Sequence, residues 1–248
     1  MKLVFLGTGT STGIPQIGCN CDVCKSTDQK DKRLRASVLF KIEDTQLLID
    51  CGPDLRQQLL RTGTKNINAI LITHEHYDHI GGLDDIRPLG ETTVYAENRV
   101  LNSIKRNMPY AFDKNPYPGV PTIHLREIDE NEFVVGNIVI KPIRVMHANL
   151  PILGFRIGKA AYLTDVKTIS DESVEQLKGL DVLILNALRI NQHIAHISLK
   201  EALSLAKTIG ARETYFTHFS HDLGKHEDIQ KTLPDNIYLS YDNLEITI

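Results

Sequence analysis

The chain has 248 residues, 42% of them hydrophobic, and a formal net charge of -3. That supplies a substantial core for one large domain, and no run of about eighteen apolar residues is present to cross a bilayer. The slightly acidic balance offers no global basic field to attract nucleic acid.

The first strand is expected over 2–7. Its short apolar run lacks the long apolar region and small-residue cleavage site of a secretory leader, so a cytoplasmic location is the expectation. Further strands are expected over 36–42, 46–50 and 68–73, and the last two end in the polar residues Asp50 and Thr73-His74. Pro53 suits a first helical turn, and a helix follows it to Gly63. Another helix is expected over 97–106. Prolines mark 109–121 as a loop, and 87–125 carries no readable functional motif. Strands follow over 122–128, 138–145, 154–157 and 160–163, then a short helix over 171–178 and a strand over 181–185. Ser198 with Glu201 three positions on is a capping box that opens a helix to about residue 209. Strands over 213–216, 237–239 and 244–247 close the chain. Two batches of strands with interspersed helices favour two sheets packed face to face with helices outside. No linker, repeat or low-complexity tract divides residues 1–248, so a single domain is expected.

Directly after the apolar run 69–72 stands Thr73-His74-Glu75-His76-Tyr77-Asp78-His79. Folding alone does not ask for this cluster. Protonated imidazoles repel one another, and each ring carries nitrogens that need partners. Neutral imidazole and carboxylate together suit zinc, manganese or iron. In an extended segment His74, His76 and Asp78 share one face. His79 breaks that alternation, so the chain is expected to turn there, with Gly81-Gly82 permitting a tight turn. Two ions need further donors, and His147, Asp165 and His218 each stand at the end of an expected strand. Singly, each is better explained by a structural hydrogen bond; together they are coherent.

Cys19, Cys21 and Cys24 form a C-x-C-x-x-C knuckle. In a reducing compartment such a cluster points to metal rather than to disulfides. Cys51 stands alone and reads as a small buried hydrophobe.

His74-x-His76-x-Asp78-His79, followed in order by His147, Asp165 and His218, resembles the metallo-β-lactamase superfamily over essentially the whole chain. The resemblance implies an α/β fold: a four-layer αββα sandwich of two mixed sheets flanked by helices, with a two-metal site along one edge. It implies that His74, His76 and His147 hold one ion, that Asp78, His79 and His218 hold the other, and that Asp165 bridges them. Asp50 then matches a carboxylate that buttresses the histidine loop, although an Asp before Gly52 also suits a turn. Retention of Asp78 disfavours a true β-lactamase. Leu6-Gly7-Thr8-Gly9-Thr10-Ser11, the cysteine triad and Thr217-His218-Phe219-Ser220-His221-Asp222 resemble the phosphoribosyl 1,2-cyclic phosphate phosphodiesterase group and are similar to the tRNA 3'-processing ribonucleases. That narrower resemblance implies a structural zinc at Cys19, Cys21, Cys24 and His221, with His226 as the alternative fourth ligand. A closed site of this kind has no open position for catalysis.

The expected activity is hydrolysis of a phosphodiester, a small cyclic phosphate of ribose or a nucleotide. Two active-site divalent cations (zinc, manganese or iron) would activate water and clamp the phosphoryl group. Asp78 and His196 are the catalytic candidates. His196 lies just before the helix opened by Ser198, where the related phosphodiesterases place a His that contacts phosphate or assists the leaving group. Arg189, by bidentate hydrogen bonding, and His193 are candidates for substrate binding; a solvated surface role suits Arg189 equally. The loop 7–13 offers backbone N–H groups to an anion, but it lacks the Gly-Lys-Ser/Thr of a P-loop. One alternative is a tRNA 3'-processing endoribonuclease, opposed by the negative charge and by the lack of a Gly/Pro-rich basic arm. Others are a thioester hydrolase and a non-catalytic metal-binding module, the latter opposed by the complete ligand set. The expected partner is a small phosphodiester, with no membrane; relatives suggest a homodimer.

Overall fold

The computed structural model describes residues 1–248. Its strands form two seven-stranded sheets. The first contains β1 (Lys2–Gly7), β2 (Ser37–Ile42), β3 (Thr45–Ile49), β4 (Ala69–Leu71), β5 (Thr92–Ala96) and β6 (Ile123–Glu127), joined at one edge by β14 (Glu245–Thr247). Its order is β14-β1-β2-β3-β4-β5-β6. Pairing is antiparallel from β14 to β3 and parallel from β3 to β6. The second sheet contains β7 (Phe133–Val135), β8 (Ile138–His147), β9 (Leu150–Ile157), β10 (Ala160–Leu163), β11 (Val182–Asn186), β12 (Glu213–Thr217) and β13 (Ile237–Leu239), in that spatial order. It repeats the scheme: antiparallel from β7 to β10, parallel from β10 to β13.

Strands covered on both faces need apolar residues at consecutive positions, and β1 shows why. Leu3 and Phe5 enter the core between the sheets, with Phe40, Ile49, Phe155 and Tyr162. Val4 and Leu6 face the other way and pack, with Leu48, Ile70 and Val94, under helices α1 (Leu55–Thr62) and α3 (Asn98–Asn107). On the far side, Ala161, Leu163, Leu183 and Phe216 pack under α4 (Asp171–Glu175) and α5 (Leu199–Ile209). Two shorter helices, α2 (Tyr77–Ile80) and α6 (His226–Gln230), lie at the sheet ends. The layer order is helix, sheet, sheet, helix, the αββα sandwich of mixed sheets that the resemblance implies. No helix is long and apolar enough to cross a membrane.

Helix ends follow their local chemistry. The helix α1 stops at Gly63, whose left-handed φ of 63° lets its N–H return to the Leu59 and Leu60 carbonyls. In α5, Glu201 accepts from the Ser198 N–H at 2.7 Å, and Ser198 Oγ accepts from the Glu201 N–H at 3.4 Å. This capping box pins the segment that carries His193 and His196.

Four expectations change. The strand over 68–73 shortens to Ala69–Leu71, and β9 begins at Leu150 rather than at residue 154, because the β8–β9 hairpin continues in register to His147 and Leu150. The strands β5 and β7 were not expected; β5 buries only alternate residues, Thr92, Val94 and Ala96, so its apolar signal is diluted. The chain also turns earlier than expected at the histidine run. His76 is the N-cap of α2, so Asp78 and His79 lie on a helical turn rather than on the end of a strand.

Candidate active site

The seven expected active-site metal ligands and Asp50 fall where strands end along one edge of the sandwich: Asp50 after β3, the His74–His79 run after β4, His147 closing β8, Asp165 after β10 and His218 after β12. Three of them bend the chain sharply. Asp50, Asp165 and His218 adopt left-handed φ values of 62°, 57° and 59°. Such conformations cost about 1–3 kcal/mol each in non-glycine residues and cluster at functional sites. The chain turns at Gly81 and Gly82 with negative φ, -68° and -98°, so the turn does not draw on glycine's left-handed freedom. Gly82 is needed for close packing instead: a Cβ there would lie 2.0 Å from the Gly52 carbonyl oxygen.

Hydrogen bonds decide which ring nitrogens are bare. Asp50 is fully buried. Its carboxylate accepts from the Thr73 N–H at 2.9 Å, from Thr73 Oγ1 at 3.0 Å and from His79 Nδ1 at 2.7 Å. His79 therefore carries its proton on Nδ1, and its Nε2 is left with a lone pair. With the Thr73 hydroxyl proton given to Asp50, the His74 Nδ1–H donates to Thr73 Oγ1 at 3.0 Å, which leaves His74 Nε2 bare. His147 Nδ1 donates to the Ala195 carbonyl at 2.9 Å, with the same result.

These bare nitrogens converge. His74 Nε2 lies 2.9 Å from His76 Nδ1. His79 Nε2 lies 3.2 Å from Asp78 Oδ2 and 3.4 Å from Asp165 Oδ2. His218 Nε2 lies 3.3 Å from Asp165 Oδ2 and 3.8 Å from Asp78 Oδ2. Buried His79 Nε2 and both ring nitrogens of His218 have no hydrogen-bond partner. Lone pairs facing carboxylate oxygens repel unless a cation stands between them. The donors fall into overlapping sets: His74, His76 and His147; His74, His79 and Asp165; Asp78, His79 and His218; and His147 and Asp165 with His196. This arrangement fits divalent cations, with mixed nitrogen and oxygen ligation that does not choose among zinc, manganese and iron.

Electrostatics tell the same story. Burial alone would raise the Asp78 and Asp165 carboxyls. The neighbouring His79 and His218 outweigh it and hold both far below the usual carboxylate range. Burial would lower His79, but Asp78, Asp50 and Asp165 push it well above the usual imidazole range, so its Nε2 is bare only when a cation takes the place of the proton. The pocket demands positive charge at the place where the bare donors meet.

His196 is buried beside this set, its ring centroid 4.6 Å from that of His147 and 5.1 Å from that of His218. Its Nδ1 lies 3.5 Å from Asp165 Oδ1. Burial pushes it down to about 3, so it is neutral at physiological pH. His193 lies outside it, its ring tilted by 37° at 5.2 Å between centroids, and accepts the Ala195 N–H on Nδ1 at 3.2 Å. Its remaining Nε2–H is the free donor. Arg189 turns inward on its own loop: Nε and Nη2 donate to the Asn191 and Gln192 carbonyls at 3.3 and 2.9 Å. Three N–H groups of the 7–13 loop are already engaged by backbone carbonyls. Gly9 and Thr10 donate to the Leu34 and Phe219 carbonyls at 2.7 and 2.8 Å, and Gly13 to Thr10 at 2.8 Å.

Several holding residues escaped the sequence reading. Thr73 orients His74. Thr164 Oγ1 donates to Asp165 Oδ2 at 2.6 Å, and Asn186 grips both the N–H and the carbonyl of Val166 at 2.8 and 3.2 Å. An Asn closing the otherwise apolar run of β11 was the available signal.

The knuckle gathers four donors. Cys19 Sγ and Cys21 Sγ lie 3.2 and 3.3 Å from His221 Nδ1, and Cys24 completes the set. A Cys24 N–H bond to its sulfur, together with His221, lowers the Cys21 thiol to about 6, toward the thiolate a metal requires. His226 lies elsewhere, its Nδ1 3.1 Å from Arg33 Nη2. Cys51 is fully buried, and burial pushes its thiol well up.

A β-lactamase superfamily domain model matches residues 45–219. The chain belongs to the metallo-β-lactamase superfamily. This superfamily member is 45% identical over 255 aligned residues to an octanoyltransferase of Porphyromonas gingivalis, covering 100% of this chain and 52% of that protein. It thus spans about half the length of that relative. It is 40% identical to a crystal structure described as a new diphosphatase from the PhnP family, with a TM-score of 0.94 over 100% of this chain and 97% of that one. The short form of human tRNase Z shares its fold at 23% identity, with a TM-score of 0.72 over 100% and 99% of the two chains.

Proposed function

We propose that this hydrolase is a metal-dependent phosphodiesterase acting on a small cyclic phosphate of ribose or of a nucleotide. The observation that carries the proposal is the convergence of His74, His76, Asp78, His79, His147, Asp165 and His218 on one edge, with His76 open to solvent and His196 alongside. When bound by this set, two divalent ions supply Lewis acidity toward phosphoryl oxygens and activate water near neutral pH. Asp50 locks His79, and Thr73 locks His74, so the donors need no rearrangement. His196, neutral and close to both His147 and His218, is placed to hydrogen-bond the leaving oxygen. His193 offers its Nε2–H to a nonbridging oxygen farther out.

A second reading is hydrolysis of a diphosphate. It is favoured by the 40% identity to the PhnP-family diphosphatase. Both readings break a phosphorus–oxygen bond and ask the same of these residues. Transfer of RNA processing from tRNase Z has no support beyond shared fold. Acyl transfer is the printed activity of a protein of which this chain covers 52%, so that name assigns no acyl-transfer chemistry to the half matched here.

The test is metal analysis followed by turnover on a panel: a ribose 1,2-cyclic phosphate, a 2',3'-cyclic nucleotide, a dinucleoside diphosphate and a precursor tRNA. Preferred turnover of a cyclic phosphate supports the proposal. Preference for the diphosphate moves the assignment to the second reading, and cleavage of the tRNA alone overturns both.

A further inference from the structure

Glu75 stands between two of the metal-site imidazoles, His74 and His76. Its carboxylate is gripped by Arg99 of α3. The same guanidinium donates through Nη2 to the Pro151 carbonyl at 2.8 Å. Pro151 pairs with Met146 across the β8–β9 hairpin, one step from the His147–Leu150 pair. One side chain thus touches both the histidine run of the first sheet and the hairpin that presents His147 from the second. A backbone bond from Leu153 to Thr73, 3.2 Å, crosses at the same place.

The ion pairs continue outward. Glu97 lies 3.8 Å from Arg99 and holds Arg144 at 2.6 and 3.1 Å. Arg144, three residues before His147, also holds Glu130 at 3.1 Å. Glu75 Oε2 is buried and has no hydrogen-bond partner, so the bond from Arg99 to Oε1 is the hydrogen bond that anchors this carboxylate. Without it, a partly buried charge between two ligands would lose its anchor and reorient toward water.

We infer that Arg99 is a positioning residue for the metal site. Through Glu75 and Pro151 it sets the spacing of His74 and His76 against His147. The inference rests on the reading that these imidazoles hold a divalent ion. The planar guanidinium fork reaches both partners at once, which a lysine ammonium cannot do with the same geometry.

Zinc alone is the probe, in competition titrations of the full chain against a chromophoric chelator. Arg99→Ala is expected to weaken one active-site equivalent by about 10- to 100-fold, the range seen when the support of a ligand is removed. Arg99→Lys should fall between it and the wild type. The melting temperature of the metal-stripped protein should be nearly the same in all three, because partly exposed ion pairs add little to stability. Equal zinc affinities in wild type and Arg99→Ala would overturn the inference alone. A wild-type chain that binds a single equivalent, at the cysteine knuckle, would overturn the metal reading and the inference with it.

Discussion

Side chains with rare chemistry were legible at the residue scale; side chains of common type that hold them were not. Three histidines and an aspartate in one short run need a reason, and so do three cysteines in six positions. Thr73, Asn186 and Arg99 raise no such question until their partners are known, because an ordinary hydroxyl, amide or guanidinium acquires its role from what it touches. His196 was legible only through its place before a capping box. Its role has a direct check. His196→Ala should lower kcat by about 10²- to 10⁴-fold, the usual range for a lost proton-transfer or leaving-group contact, while metal content stays at the wild-type level. Loss of metal along with activity would make it a ligand instead. His226 makes a different prediction. Burial first, then Arg33 and Lys30, lowers it to about 4, with Asp28 and Asp31 opposing. The folded chain keeps it neutral down to that pH, whereas the unfolded chain takes up a proton below about 6.5. Between those values the unfolded state binds more protons, so stability falls as pH drops from about 6.5 to 4. Melting curves across that window should fall less steeply for His226→Asn than for wild type; parallel curves would remove His226 from the acid response.

Elements were legible where both faces are buried, and obscure where only one is. The run of β10 is buried throughout, β1 is buried from Leu3 onward and β13 is mostly buried, and all three matched their expected bounds. The alternation of β5 and the brevity of β7 hid them. The early start of α2 was hidden for another reason: His76 has extended φ and ψ of -61° and 147°, so the pattern is strand-like up to the N-cap itself. Between elements, the cysteine knuckle couples the N-terminal loop to the segment after β12, since His221 follows His218 by three residues. Gly9 and Thr10 already pair with Phe219 in the same region. Cys21→Ser should therefore act at a distance. It is expected to lower zinc content by about one equivalent of a tetrahedral site and to reduce activity through a loosened His218. Unchanged activity with the knuckle zinc lost would show that the hydrogen bonds of the loop suffice.

The order of strands across each sheet is a property of the whole molecule that no local pattern reveals. It matters because the order decides which strand ends meet. The donors come from both sheets: the Asp50–His79 region from the first, and His147, Asp165 and His218 from the second. Away from that edge the sheets are held by a dry core of large side chains, Phe5, Phe40, Phe155 and Tyr162 among them. At the edge they are held by polar donors that repel in the absence of a cation. Metal should therefore act as a staple on a fold that stands without it. Stripping the ions ought to leave the far-ultraviolet circular dichroism unchanged and lower the melting temperature. A ligand that binds only the folded state adds about 2.7 kcal/mol at a hundredfold excess over its Kd. For a chain of this size that is roughly 5 to 10 °C per site. The melting temperature should then climb with the logarithm of free zinc once zinc exceeds the Kd of the sites, and go on climbing after they are filled. A melting temperature independent of free metal would mean that the converging nitrogens and carboxylates hold no ion in the folded chain. A collapse of secondary structure on stripping would mean that the inter-sheet core cannot hold the sandwich by itself.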